Sequence, residues 1–598
     1  MQNVLERRMF ITPSFKIYGG VAGFFDYGPP GCAVKQNVTQ LWRDHFVVEE
    51  NMLEVECCSV TPEVALRASG HVERFTDFMV RDVKTGESYR ADHLLEDALR
   101  AAVRDAGQAA DTARDLLPRV GDMGTAEIDS ALNQFGVKAP GTGNDLTHTW
   151  AFNLMFKTQV GTRGAKEAYL RPETAQGIFS NFKELLYYNG SKLPFAAAQV
   201  GTSYRNEISP RGSLLRVREF TQAEIEHFCN PNDKRHPKFD SVSNVEPLLY
   251  DRATQLAGLP AASVTLGAAV KIGTIANQTL AYYIGRTYLF AQSIGLDVGR
   301  VRFRQHLANE MAHYATDCWD FEVQCAHGWV ECAGIADRST YDIDAHATSS
   351  KVDMRAYEQF PEPRNVDVLT IVPNKKILGK VFTKHAQAVI NALNTMSECD
   401  AVEMAGKLRA GLVARLALDD RHVDVHPGFV TIDAGKKLVH GARFAPAVIE
   451  PSFGIGRIMY CMFDHCFYTR DDGQRTVFAF RPSVAPVKCA VFSLVNTHAL
   501  NERAQLVAAS LTKTRLVHAL DTSGISIGKR YARTDEIGVP FGITIDHTSL
   551  QDGTVTLRER DSTAQIRLHM DEVPTVVKAL VDGDLSWTQL QAQGVSSG

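Results

Sequence analysis

The sequence predicts a multidomain α+β protein: an antiparallel-sheet core broken by helical insertions, then a C-terminal α/β domain. Three observations carry this. Residues 196–206 and 215–228 read as strands joined by Ser209-Pro210-Arg211-Gly212, an antiparallel hairpin with a long loop. Residues 86–148, 229–298 and 345–445 depart from that pattern and look inserted, the first running helical from Ala91 to Leu117 and leaving through Gly141-Thr142-Gly143. Residues 485–598 alternate strand and helix, which implies a small, mostly parallel sheet covered by helices.

Bulk properties bound the function. A chain of 598 residues exceeds one hydrophobic core. With 44% hydrophobic and 22% charged residues it has an ordinary globular composition, and no apolar run reaches the length of a membrane span. The N-terminal segment lacks the apolar stretch of a secretory signal. Eleven cysteines without a C-x-x-C pair, three of them (Cys318, Cys325, Cys332) spaced by seven, fit neither usual zinc spacing nor a disulfide scaffold. They are expected as reduced thiols in the cytoplasm. A net charge of −5 points to no polyanionic partner, although nucleic-acid binding needs only a local basic surface. Arg481-Pro482-Ser483 reads as a linker.

Four short constellations carry chemistry. In Arg205-Asn206-Glu207, followed by Arg216-Val217-Arg218-Glu219-Phe220, alternation puts Arg216, Arg218, Phe220, Gln222 and Glu224 on one strand face. Such a face is costly to bury against a core. In Glu450-Pro451-Ser452-Phe453-Gly454-Ile455-Gly456-Arg457, the apolar residues Ile455, Ile458, Met459, Met462 and Phe463 make one helix face, and Arg457 points off it. Alone, G-x-G-R describes a surface arginine after a turn. Arg171-Pro172-Glu173-Thr174-Ala175-Gln176 and Glu331-Cys332-Ala333-Gly334, leading to Arg338, each place an acid beside a strand; alone, each fits a cap or an ion pair.

Together these motifs resemble the eukaryotic and archaeal α2-type glycyl-tRNA synthetases, of class II. The likeness runs from about Arg8 to about Arg567 and includes Gly28-Pro29-Pro30-Gly31, Ser69-Gly70-His71 and Arg304-Gln305-His306. It implies a six-stranded antiparallel catalytic sheet within residues 1–484 and an anticodon-binding domain in residues 485–598. It also implies a homodimer formed through the helix from about Cys32 to Phe46. The implied reaction joins glycine to ATP as glycyl-adenylate, then transfers glycine to tRNA(Gly); diadenosine tetraphosphate synthesis is a compatible side activity. The implied ATP contacts are Arg205, Asn206, Glu207, Arg216, Val217, Phe220, Glu331, Cys332 and Arg457, with Mg²⁺ on Glu331. The implied glycine contacts are Glu173, Glu224, Glu450, Pro451 and Ser452, with Arg338 a further substrate contact. Cys332 departs from the aliphatic residue of many relatives. The extra helical segment of animal members is not expected here. Mitochondrial dual use is compatible with the sequence. Threonine, proline and histidine synthetases share the core, and the Arg171–Gln176 and Glu450–Gly454 segments favour glycine over them; non-catalytic relatives bind nucleic acid, and the joint presence of Arg205, Arg216, Glu331 and Arg457 speaks against that reading.

Overall fold

The computed structural model describes residues 1–593, except 106, 108, 163–165, 209, 211, 397, 419, 420 and 472. Ser209 and Arg211 of the expected hairpin turn therefore lie outside the described residues. Among the described residues nine strands form the central sheet. They are β1 (Leu53–Glu54), β2 (Phe195–Tyr204), β3 (Glu219–Cys229), β4 (Leu248–Tyr250), β5 (Ala262–Ser263), β6 (Val301–Gln305), β7 (Asp317–Cys325), β8 (Gly328–Ser339) and β9 (Ala447–Gly454). Their order is β5-β4-β6-β7-β8-β9-β3-β2-β1. From β6 to β2 each neighbour is antiparallel, six strands in all. β1 and β4 pair parallel onto β2 and β6.

Three helices cover the sheet: α1 (Pro29–Trp42), α2 (Gln278–Ser293) and α3 (Ile455–Cys466). Trp42, Phe46, Phe290 and Phe453 interlock where they meet. The α1 entry explains Gly28-Pro29-Pro30-Gly31. Prolines suit a first helical turn, and a Cβ on Gly31 would lie 1.7 Å from the Phe10 carbonyl oxygen. In α2 every residue from Thr279 to Thr287 is buried, as in a helix inside a core. The 229–298 stretch, expected as an insertion, is thus built into the catalytic core, and its β4 and β5 extend the sheet.

The 86–148 stretch does form a helical unit with its own core of Leu95, Leu99, Ile128 and Leu132. Its glycine-rich exit is closed over Asp82, whose carboxylate accepts from Thr142 and Asn144. Arg355–Phe444 is a compact unit by itself. The expected helical segment near 384–418 is present as Ala386–Asn394 and Glu398–Arg409, beside a ribbon of Ala356–Pro373 paired with Val430–Phe444.

At the C-terminus, β10 (Cys489–Ser493), β11 (His518–Asp521) and β12 (Phe541–Ile545) are parallel. β13 (Thr554–Glu559) and β14 (Gln565–His569) continue the sheet antiparallel, so it is mixed rather than mostly parallel. Helices α4 (His498–Lys513), α5 (Ile527–Ile537) and α6 (Val573–Asp582) cover it over a separate core. The Arg481–Pro482–Ser483 segment is not a free tether. Lys488 Nζ donates to the carbonyls of Pro482, Ser483 and Ala485, and Asn37 donates to Val484 and Ala485. Arg7 and Arg8 both pair with Glu536 of α5.

Candidate active site

The site lies on the open face of β3, β9 and β8. Their register sets Glu224 opposite Ser452, and Ser452 opposite Gly334. One step along, Glu450 stands opposite Ala336. Directly paired residues share a face, so these side chains converge without help from any loop. One cavity runs along this face from Glu173, Glu224 and Glu450 at one end to Arg205, Arg216 and Arg457 at the other. It continues past Arg216 and Arg457 into an outer chamber lined by Arg90, His93 and Trp329.

The closed end is a network of buried carboxyls. Glu224 accepts from the Thr174 backbone N–H at 2.7 Å, from the Thr174 hydroxyl, from Ser452 Oγ at 2.7 Å and from Gln222. Glu173 accepts from Gln176 at 2.8 Å and lies 3.3 Å from His71 Nε2. Against the cost of burial, His71 and Arg338 hold Glu173 well below the usual carboxylate range. Glu450 receives Arg338 at 2.9 and 3.0 Å. Burial, with Glu224 and Glu173 adding to it and Arg338 opposing, pushes the Glu450 carboxyl up to about 8. Beside them Glu226 is fully buried with neither carboxyl oxygen partnered among the described residues; burial and Glu450 drive its proton affinity far up, which favours the neutral acid.

Arg338 is not a substrate contact. Its side chain is 1% exposed, and Nε and Nη2 are bound to Asp342 at 2.7 and 2.8 Å while Nη1 holds Glu450. Tyr314 covers its guanidinium at 3.7 Å. It lies behind the pocket and orients a carboxylate that lines it. Arg338→Leu would leave Asp342 and Glu450 buried and unpaired, which costs about 3–5 kcal/mol. Chemical denaturation should show a loss of that order, and a variant within about 0.5 kcal/mol of the parent would contradict this role.

The open end is cationic. Arg205 donates from Nε to the Pro172 carbonyl at 3.1 Å, and Phe75 and Phe220 flank its guanidinium at 5.3 and 5.4 Å. Arg457, in the first turn of α3, donates to the Leu215 carbonyl at 3.1 Å and the Glu331 carbonyl at 2.9 Å. Its guanidinium lies 3.5 Å from the Glu331 carboxylate, which is 55% exposed. Arg216 faces Glu207 at 3.7 Å, a loose pairing that leaves it free to turn to a ligand. Val217 and Cys332 also line the cavity.

Two of the expected ATP and glycine contacts do not, in addition to Arg338. Asn206 is absent from the wall, its backbone N–H bound to the Leu154 carbonyl. Pro451 is on the opposite face of β9 from Glu450 and Ser452, as alternation requires. Arg218 leaves the expected strand face because β3 begins only at Glu219. A short 3₁₀ turn, Ser213–Leu215, precedes it, and Arg218 binds the carbonyls of Ala22 and Glu207. Sequence reasoning missed Thr174, the donor behind Glu224, and the pocket residues Gln222, Tyr314, His306, Cys318 and Asp320. The first two sat inside quoted motifs. The rest come from β7 and the loop that leads into it from β6; only Arg304-Gln305-His306 signalled that region. Asp320 and Cys318 hold the His306 imidazolium up to about 11 against its burial.

Comparison with known proteins agrees with this geometry. The family "tRNA synthetase class II core domain (G, H, P, S and T)" matches residues 156–531, and "Anticodon binding domain" matches residues 488–580. A Drosophila melanogaster protein named glycine–tRNA ligase is 47% identical, over 99% of this chain and 78% of its own. The chain belongs to the glycine–tRNA ligase family. Members from Encephalitozoon cuniculi and Methanocaldococcus jannaschii are 42% and 40% identical, each covered over 98% of its length by 98% and 97% of this chain. The fold also matches a solved prolyl-tRNA synthetase from Cryptosporidium parvum with halofuginone and AMPPNP, at a TM-score of 0.50 and 8% identity, over 99% of this chain and 77% of that one. Among the described residues no helix is long and apolar enough to cross a membrane.

Proposed function

We propose that this chain activates glycine with ATP and transfers it to tRNA(Gly). The observation that carries this is one cavity with three arginines at its open end and three carboxyls at its closed end. Activation brings a carboxylate to an α-phosphate, so two anions must be drawn together and aligned. Guanidinium groups suit this, being planar, always charged and able to grip two oxygens. Arg205, nearest the carboxyl end through its Pro172 contact, would hold the α-phosphate. Arg457 would contact the γ-phosphate and one adenine face, Phe220 the other, and Arg216 the bent phosphate tail. Glu207 would approach the adenine amino group. The half-exposed Glu331 carboxylate fits a hard cation that shares its remaining ligands with phosphates, and Mg²⁺ there would neutralise part of the triphosphate charge.

Glycine offers only an ammonium and a carboxylate. Glu173, Glu224, Glu450 and Ser452 would take the ammonium. A methyl group placed among these carboxyls would cover them without a hydrogen bond in return, a penalty on any larger amino acid. That matters because one methyl in an apolar pocket gives only about 1–3 kcal/mol of discrimination. Residues 485–598 would read the anticodon. Two copies would associate through α1, and sedimentation at twice 66.0 kDa checks this.

The test is ATP–pyrophosphate exchange dependent on glycine, followed by charging of tRNA(Gly). Exchange driven equally by alanine, proline or threonine, or none with any amino acid, would overturn the assignment. A pH dependence also follows. The carboxyl near 8 is Glu450, and an incoming ammonium favours its charged form. Below that pH glycine binding must displace a proton, so glycine KM should fall as pH rises from 6.5 to about 8 and then level. A flat KM across this range would contradict the placement of the ammonium beside Glu450.

A further inference from the structure

Three thiols meet beside the cavity. Cys332 of β8 lines it, with Sγ 3.5 Å from Sγ of Cys461, one turn beyond Arg457 on α3. Cys325, the last residue of β7, neighbours Cys461, and its Sγ lies within 4.8 Å of a His465 ring nitrogen. All three are free thiols. The neighbouring metal-type donors are already engaged. His465 Nδ1 accepts the Asp297 N–H at 3.1 Å, its Nε2 donates to the Gln324 carbonyl at 2.9 Å, and Asp464 pairs with Arg300 at 3.0 Å. What the cluster offers is sulfur chemistry.

We propose that Cys325, Cys461 and Cys332 form an oxidation site for hydrogen peroxide, in which a disulfide made at Cys461 switches off adenylate formation. Cys325 is the thiol of the three with an imidazole within 4.8 Å, and Cys461 and His465 together lower it to about 6 against its burial, which favours its thiolate. That thiolate attacks one peroxide oxygen; the O–O bond breaks and the departing hydroxide takes a proton to become water, leaving Cys325 as a sulfenic acid. The Cys461 thiol then attacks the Cys325 sulfur. The S–S bond forms, the S–O bond breaks, and hydroxide leaves with the thiol proton as a second water. Two thiols give up two electrons and two protons, and one peroxide becomes two waters. Cys332, in contact with Cys461, can take over the bond by thiol–disulfide exchange, releasing Cys325.

The functional consequence follows from where the sulfurs sit. A disulfide brings its sulfurs to about 2.05 Å, so closing the Cys332–Cys461 gap from 3.5 Å draws β8 and α3 together by more than an ångström unless side chains absorb it. Cys332 follows Glu331, and Cys461 is four residues after Arg457 on the same helix face. The pair that moves is the pair placed at the triphosphate, where a shift of about 1 Å can cost about 10²-fold.

The disulfide itself is independent of the proposed function, and only the activity readout rests on it. Full-length protein is treated with hydrogen peroxide, quenched with catalase, and assayed by glycine-dependent exchange and by peptide mapping under non-reducing conditions. Untreated protein tests the proposed function separately. A Cys461 peptide crosslinked to Cys325 or Cys332 is expected, with at least about a ten-fold loss of exchange that dithiothreitol reverses. Cys461→Ala should keep its exchange activity through the same treatment, and Cys325→Ser should do so if Cys461→Ala fails to fold. The proposal is overturned if Cys461 stays reduced in inactivated protein, if the crosslink joins Cys57 and Cys58 instead, or if the variants lose activity like the parent.

Discussion

Arg205→Ala is expected to lower glycine-dependent ATP–pyrophosphate exchange by at least about 10²–10³-fold, the cost of removing one preorganised donor from a developing charge. The surroundings make this a sharp test. Arg205 is held by the Pro172 carbonyl and by two aromatic rings, and among the described residues it pairs with no carboxylate. Its removal therefore leaves no buried acid uncompensated, and the fold should survive; an unchanged melting temperature is part of the expected result. Arg205→Lys should recover little, because an ammonium cannot bridge two oxygens in a fixed plane. Near-normal exchange in Arg205→Ala, from a folded variant, would remove this arginine from the chemistry.

Glu224→Ala should act at the other end. A fall of about 10²–10³-fold in kcat/KM for glycine is expected, with ATP KM within about two-fold of the parent. Glu224 is the common acceptor for the Thr174 N–H and hydroxyl, Ser452 and Gln222. Its loss orphans those donors and removes a carboxyl from the ammonium site at once. Glu224→Gln separates the two effects: it keeps the shape and one acceptor oxygen, enough for the two Thr174 donors, but not the charge, so it should retain most of the stability while still losing glycine. An equal rise in ATP KM would mean the cavity ends are not the separate subsites described above.

Much of this was legible in the sequence because it depends on local periodicity. The motif likeness implied a helix from about Cys32, and α1 begins three residues earlier, at Pro29. The apolar spacing from Ile455 defined the buried face of α3 and left Arg457 off it. The strand–helix alternation expected in residues 485–598 is present, with Ile527–Ile537 and Phe541–Ile545 among its elements. Boundaries failed where a turn competes with a strand. Arg216 and Arg218 look like strand residues, yet the 3₁₀ turn before them delays β3 to Glu219 and sends Arg218 to backbone carbonyls. The 229–298 stretch failed differently. Nothing in its composition marks α2 as buried on every side, since that depends on which elements surround it.

By itself, then, the sequence determined which residues share a strand face or a helix face: Glu224 with Gln222 and Phe220, Glu450 with Ser452, Arg457 away from its own core. It also carried the family motifs that name glycine. Only the tertiary structure decided which faces meet. It aligned Glu224, Ser452 and Gly334 across three strands far apart in the chain, and it moved Arg338 from the substrate to a position behind Glu450, bound to Asp342. It also brought Cys332 within 3.5 Å of Cys461. The physical reason is range: hydrogen-bond periodicity acts within a few residues, whereas strand pairing and the pairing of buried charges join residues separated by more than a hundred.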